Sequence, residues 1–263
     1  MDEESLRKLL NAGSEIVGNV TGAIIGSAIA GPTGLLLGAS LPTIFSMTFN
    51  RISDDVLNRT ISKREEQKIG AGYIFAIDRI EKNIKAGKII REDGFIGNDN
   101  ILSDSNVILE GVTTKLQKEW ELKKLQFYGN FLGNISFTDE VDFNYATVLL
   151  KIAENLSYRQ LCLIKVFKKK GTPQIDLAPI ENEYARGLST KTFNYSLYSD
   201  LAEMDRLSVF QRRGPIKLGA TIGNCILSDI GIKLYQLMNL EEIEKNDYNE
   251  TVYELQSMLP GRL

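Results

Sequence analysis

The sequence contains no histidine and only two cysteines, Cys162 and Cys225, in 263 residues. Without imidazole there is no Ser-His or Cys-His activation of a nucleophile and no usual neutral-pH general base. Most zinc ligand sets are excluded as well. Two distant cysteines in ordinary apolar surroundings are too few for a disulfide scaffold and read as buried thiols in a reducing compartment. No glycine-rich loop ends in Gly-Lys-Ser or Gly-Lys-Thr, and no Gly-x-Gly-x-x-Gly joins a strand to a helix. The carboxylates offer no reactive pair: Glu65 and Glu66 occupy adjacent helix positions, and Asp139, Glu140 and Asp142 sit in a turn where capping accounts for them. The sequence thus predicts a protein that is not an enzyme and uses neither cofactor nor metal. A net charge of −3 neither requires nor forbids a polyanionic partner.

Charge is missing altogether from one stretch. Between Glu15 and Arg51 the chain reads IVGNVTGAIIGSAIAGPTGLLLGASLPTIFSMTFN, longer than the roughly 20 apolar residues that a bilayer-crossing helix needs. Gly18, Gly22 and Gly26 recur every four residues, and Gly34 and Gly38 repeat the spacing beyond Gly31-Pro32. Residues four apart share a helix face, and small-xxx-small stripes let helices associate closely in lipid. In water each such glycine would cost about 1 kcal/mol relative to alanine. The pattern predicts a glycine-zipper helical hairpin with arms from Ser14 to Ala30 and from Thr33 to about Met47. Arms of this length reach roughly 25 Å, just short of a ~30 Å hydrocarbon core, and Pro42 would kink the second. The competing reading is a hairpin buried in a soluble protein. A secretory signal fits least, since Asp2, Glu3 and Glu4 precede Arg7 and Lys8 and the apolar run is long and glycine-broken.

Charge returns at Arg51. Ser53, Asp54 and Asp55 offer caps for a helix reaching Lys85, through Val56, Ile61, Ile69, Tyr73, Ile77, Ile80 and Ile84. Arg51, Arg59, Lys63, Arg64 and Lys68 form a basic flank suited to anionic headgroups. An ordinary solvated face, interspersed with Asp54, Asp55, Glu65 and Glu66, is the alternative. The turn-rich segment from Arg91 to Ser105 marks a boundary. A helical pattern then covers Asn106 to Phe137, with the sole tryptophan, Trp120, as an expected packing residue. Phe143 to Asn155 reads as a further amphipathic helix.

From Leu156 the order becomes helix (Ser157-capped), helix (Asn194 to Arg206), β-rich pieces (Leu207 to Gln211 and Ile216 to Ile226), then a helix capped by Ser228. That order predicts a winged-helix-like module with an acidic tail from Glu241. Arg212, Arg213 and Lys217 would lie on the wing, and Lys191 just before the second helix. These residues could touch nucleic acid or a protein partner. Asp200, Glu203 and Asp205 on the second helix would repel phosphate, which favours protein. The expected architecture is therefore mainly α: a transmembrane glycine-zipper hairpin over 1–50, a helical domain over 51–155, and a winged-helix-like α+β module over 156–263.

The phrases ILEGVTTKLQKEWELKKLQFYGNFLGNISF, FNYATVLLKIAENLSYRQLCLIKVF, LYSDLAEMDRLSVFQ and LSDIGIKLYQLM together resemble the bacterial Abi-alpha family of abortive-infection proteins. A tryptophan-containing helix precedes an L-S-opened helix there, and a terminal L-T-x-x-G phrase matches Leu227-Ser228-Asp229-Ile230-Gly231 with serine for threonine. The likeness covers about the last two thirds of the chain. It implies a role in antiviral defence, as an effector beside a sensor protein (for instance a short Argonaute complex). Such an effector would be cytoplasmic until activated and would then act at the inner membrane. Anionic lipids and further copies of the chain would be its partners. The alternative is a soluble winged-helix adaptor or nucleic-acid-binding protein whose hairpin is buried.

Overall fold

A computed structural model describes residues 62–95, 104–169, 195–212 and 225–258. The expected hairpin over 1–50 lies outside these residues. Within them the protein is mainly helical, with eight α-helices and one two-stranded sheet near the C-terminus. The chain forms two compact units, 1–151 and 152–263.

The first unit is built on α1 (Lys63–Lys85), α2 (Asp104–Lys118), a 3₁₀ turn (Leu122–Lys124), α3 (Leu125–Ile135) and most of α4 (Phe143–Asn155). Ser62, rather than Ser53, caps α1: its backbone N–H donates to Glu65 Oε2 at 2.7 Å, and its hydroxyl accepts from the Glu65 N–H. This reciprocal pair satisfies two donors that a helix start leaves open. The buried face of α1 runs through Ile69, Gly72, Tyr73, Ala76, Ile80 and Asn83, a helical repeat of three and four residues.

Helices α1 and α3 make the most extensive helix–helix contact among the described residues. Its closeness comes from glycine. A Cβ added to Gly129 would run into the Gly72 carbonyl oxygen and come within 2.7 Å of Phe75 Cβ. One added to Gly133 would lie 2.8 Å from the Ala76 carbonyl oxygen. Gly72 likewise has no room for a side chain beside Leu116 of α2. Gly72 and Ala76 on one helix thus face Gly129 and Gly133 on the other, small residues four apart on both sides. Polar groups follow the same seam: Asn83 Nδ2 donates to Asn134 Oδ1 at 2.8 Å, and Arg79 Nε to Asn130 Oδ1 at 3.3 Å.

The segment after α1 is fastened to the end of α3 by Arg91. Its N–H donates to the Ser136 carbonyl at 3.0 Å and its guanidinium to the Val141 carbonyl at 2.9 Å. Asp93 pairs with the same guanidinium, which holds the carboxyl below its ordinary range, and the Phe95 ring stacks 3.9 Å away. The Arg91 backbone and guanidinium together meet carbonyls at the end of α3, those of Ser136 and Ile135, and in the turn beyond it, where helical partners run out.

The second unit is arranged around α5 (Tyr158–Lys169), buried continuously from Gln160 to Phe167. A helix buried on all sides needs neighbours on all sides. They are α6 (Tyr195–Arg206), β1 (Phe210–Arg212), β2 (Cys225–Leu227), α7 (Asp229–Leu237), a 3₁₀ turn (Leu240–Glu242) and α8 (Lys245–Met258). The strands are antiparallel, with Phe210 opposite Leu227 and Arg212 opposite Cys225. Phe210 packs on Phe167, ring centroids 4.6 Å apart. Ser157 caps α5 reciprocally with Gln160, at 3.2 and 2.7 Å, and Cys162 is buried and in no disulfide.

Two expectations for residues 106–137 change. The pattern over 106–137 is two helices broken at Glu119-Trp120-Glu121, and Trp120 is 79 % exposed rather than packed. The spacing of Leu116, Trp120, Leu125 and Tyr128, at four, five and three residues, conceals the break, because an approximate helical repeat absorbs a slip of one residue.

Alanine at Gly129 is expected to lower unfolding free energy by about 1–3 kcal/mol through overpacking. In an open helix the same change would raise it by up to about 1 kcal/mol. Gly111→Ala, which meets only the flexible Leu150 side chain at 3.0 Å, serves as the comparison. Urea unfolding of the full chain decides it, and a stabilised Gly129→Ala variant would rule out the close crossing.

Candidate functional site

The residues singled out in the sequence fall unevenly on the described structure. Gly18, Gly22, Gly26, Gly34 and Gly38, together with Arg51, Arg59, Lys191, Arg213 and Lys217, lie outside the described residues. Lys63 and Arg64 are exposed in the first turn of α1. Arg212 closes β1 as the partner of Cys225, so residues 213–224 join the two strands. Lys63 and Arg64 therefore sit together, while Arg212 belongs to the other unit.

Next to Lys63 and Arg64 lies a corner that periodicity did not reveal. Gln117, near the end of α2, donates to Glu65 Oε1 at 3.1 Å, which ties the corner to the first turn of α1. Lys68 of α1 is buried and donates to two carbonyls at the end of α2, those of Gln117 and Glu119, the latter at 3.0 Å. Burial lowers the pKa of this ammonium, and Glu65 opposes the shift. A lysine inserted here supplies donors to carbonyls that the end of α2 would otherwise leave open.

Glu119 then turns the chain. Its Oε1 accepts the N–H groups of Trp120 and Glu121, both at 2.9 Å, and its Oε2 meets Lys124 Nζ at 2.8 Å. Only 6 % of the Glu119 side chain and 3 % of the Lys124 side chain is exposed. Lys124 also lies 5.5 Å from the Tyr128 ring centroid. Of the acids near the corner, Glu65 of α1 and Glu119 just after α2 are engaged in internal contacts, and Glu121 beside Trp120 is half-buried. Lys118, Lys123 and Trp120 are exposed.

In the second unit the phrase Leu227-Ser228-Asp229-Ile230-Gly231 has a structural reason. Ser228 Oγ accepts the Gly231 N–H at 3.2 Å and donates to the Ser208 carbonyl at 2.6 Å, so one hydroxyl caps α7 and grips the turn before β1. A Cβ at Gly231 would lie 2.6 Å from the Val209 carbonyl oxygen. Serine and glycine together hold α7 against the base of the hairpin. Asp200 of α6 accepts from Arg159, although burial raises its pKa overall. Lys165 donates to the carbonyls of Glu241 and Ile243 at 2.9 and 2.7 Å, its pKa lowered by burial. Lys169 pairs with Glu241 at 2.6 Å and lowers that carboxyl. Asp200, Lys165 and Glu241 are accounted for as packing and capping contacts.

Among the described residues no group of histidine, cysteine and carboxylate side chains is arranged to hold a metal. No helix among them is long and apolar enough to cross a membrane. No family model, curated protein or solved structure matches this chain.

Replacing Lys124 with Met is expected to destabilise the chain by about 3 kcal/mol, because it leaves the Glu119 carboxylate buried beside Lys68 alone. Glu119→Gln in the same chain keeps an acceptor for the two N–H groups and should recover part of that loss. Denaturant unfolding of the single and double variants measures both, and additive losses would count against the pair.

Proposed function

We propose that the protein is a non-enzymatic effector that perturbs a membrane when a partner activates it. The observation that carries this reading is the 16–50 stretch, uncharged throughout and marked by Gly18, Gly22, Gly26, Gly34 and Gly38. A hairpin of this composition can lie against copies of itself in lipid. Arg51, Arg59, Lys63 and Arg64 follow it, suited to anionic headgroups on the cytoplasmic side. The helical units would restrain the hairpin until a sensor protein releases it, from the cytoplasm to the inner membrane. The resemblance to abortive-infection proteins would give such an effector a role in antiviral defence, with depolarisation of the infected cell as its outcome.

The test is dye release from vesicles together with toxicity in cells. Leucine at Gly18, Gly22 and Gly26 is expected to abolish both while leaving the far-ultraviolet circular dichroism of the helical units unchanged. Killing that survives the triple substitution would reject the zipper.

The order α6, β1, β2, α7 favours a second reading, in which the C-terminal unit is winged-helix-like and works as an adaptor. In that reading Lys191, Arg212, Arg213 and Lys217 contact a protein partner or, less favoured by Asp200, Glu203 and Asp205, nucleic acid. Arg212→Glu, Arg213→Glu and Lys217→Glu together separate the possibilities. Loss of partner or nucleic-acid retention with membrane toxicity intact means two independent roles. Loss of both makes the adaptor role primary.

A further inference from the structure

We propose that the corner between α2 and α3 is an interfacial anchor that seats the first unit on an anionic bilayer surface. Trp120 is its apolar element. The exposed Lys63, Arg64, Lys118 and Lys123 at the same end of the unit are its basic surround. This rests on the membrane reading above and adds a contact that the sequence did not assign, since Trp120 was expected in the core.

A single exposed apolar side chain is ordinary on a protein surface. This one is built into place. The Trp120 N–H is held by Glu119 Oε1 at 2.9 Å, the Glu119 carbonyl by Lys68 at 3.0 Å, and the Glu119 carboxylate by Lys124 at 2.8 Å. The backbone beneath the indole is therefore fixed by buried polar groups, so seating the ring requires little further ordering of the chain. An indole with an apolar body and one N–H donor suits the boundary between acyl chains and headgroups.

Charge selects the kind of surface. Glu119 is buried against Lys124, Glu65 is engaged by Ser62 and Gln117, and Glu121 is half-buried, so the fully exposed charges over 118–123 are Lys118 and Lys123. The lysines at 118 and 123 face outward two and three residues from the indole. Basic residues beside an apolar anchor bind anionic headgroups near the surface, with their stems along the apolar boundary. Continuity supplies the remaining argument. Lys63 follows the uncharged 16–50 stretch by about a dozen residues, and the Gln117–Glu65 and Lys68 contacts join that first turn of α1 to the corner. The end of the unit where α1 begins is the end that carries the indole and the outward lysines.

Trp120 is the chain's sole tryptophan, so its fluorescence reports on the corner alone. The full chain would be mixed with phosphatidylglycerol–phosphatidylcholine vesicles or with phosphatidylcholine alone, and flotation followed in parallel. With anionic vesicles the emission should shift to the blue and be quenched by brominated acyl chains. Lys118→Glu/Lys123→Glu should weaken partitioning about ten-fold or more, and Trp120→Ala should weaken flotation with circular dichroism unchanged. Flotation with unshifted, bromine-insensitive emission would overturn the anchor and leave the membrane reading intact. Quenching without dye release under activating conditions would support the anchor and count against membrane perturbation. Equal quenching by neutral vesicles would overturn the charge selection, and absence of both flotation and quenching would overturn both proposals.

Discussion

The close crossing of α1 and α3 is the constraint on which the first unit depends. Gly72 and Ala76 meet Gly129 and Gly133 with backbone carbonyls where side chains would otherwise stand. Small residues spaced by four are familiar from helices packed in lipid, yet here they serve a helical body with a buried apolar core. Drawing two backbones together strengthens dispersion contacts along the whole seam. It also brings Asn83 within reach of Asn134, and Arg79 within reach of Asn130. The glycines offset their poor helix propensity by permitting this approach, so propensity alone misjudges them.

Buried cations carry out a second task in both units. Lys68, Arg91 and Lys165 each donate to carbonyls at a helix end or turn that regular hydrogen bonding leaves open. Burying an ammonium or guanidinium is costly, and geometry compensates by giving it several acceptors. Lys124 differs, since it meets the Glu119 carboxylate. These ties set where helices stop. The break at Glu119-Trp120-Glu121 follows from them, and so does the outward position of the sole tryptophan.

The functional reading joins two unlike parts of the chain. The 16–50 stretch has the composition of a membrane segment. The described residues hold no spanning helix and no metal-ligating cluster. The effector reading assigns restraint and partner contact to the helical units, and membrane action to the uncharged stretch. In the anchor proposal the tryptophan corner would give the first unit its own means of meeting a lipid surface, at the end where α1 begins.

The sequence by itself determined the helical character, the caps at Ser157 and Ser228, the α4 segment from Phe143 to Asn155, and the short strand pair before the Ser228-capped helix. These are local matters, settled by periodicity of 3.6 residues and by side chains that reach backbone donors within the next turn. It also marked Lys63 and Arg64, because clustered charge is visible without a fold. Tertiary structure decided what depends on distant neighbours. Gly72, Gly129 and Gly133 became contact surfaces only once two helices crossed, and the Leu-Ser-x-x-Gly phrase acquired its reason only from the Val209 and Ser208 carbonyls. The break near Trp120 depended on Lys68, some fifty residues earlier in the chain. No local pattern carries that information, because the partner that stabilises the break belongs to another helix.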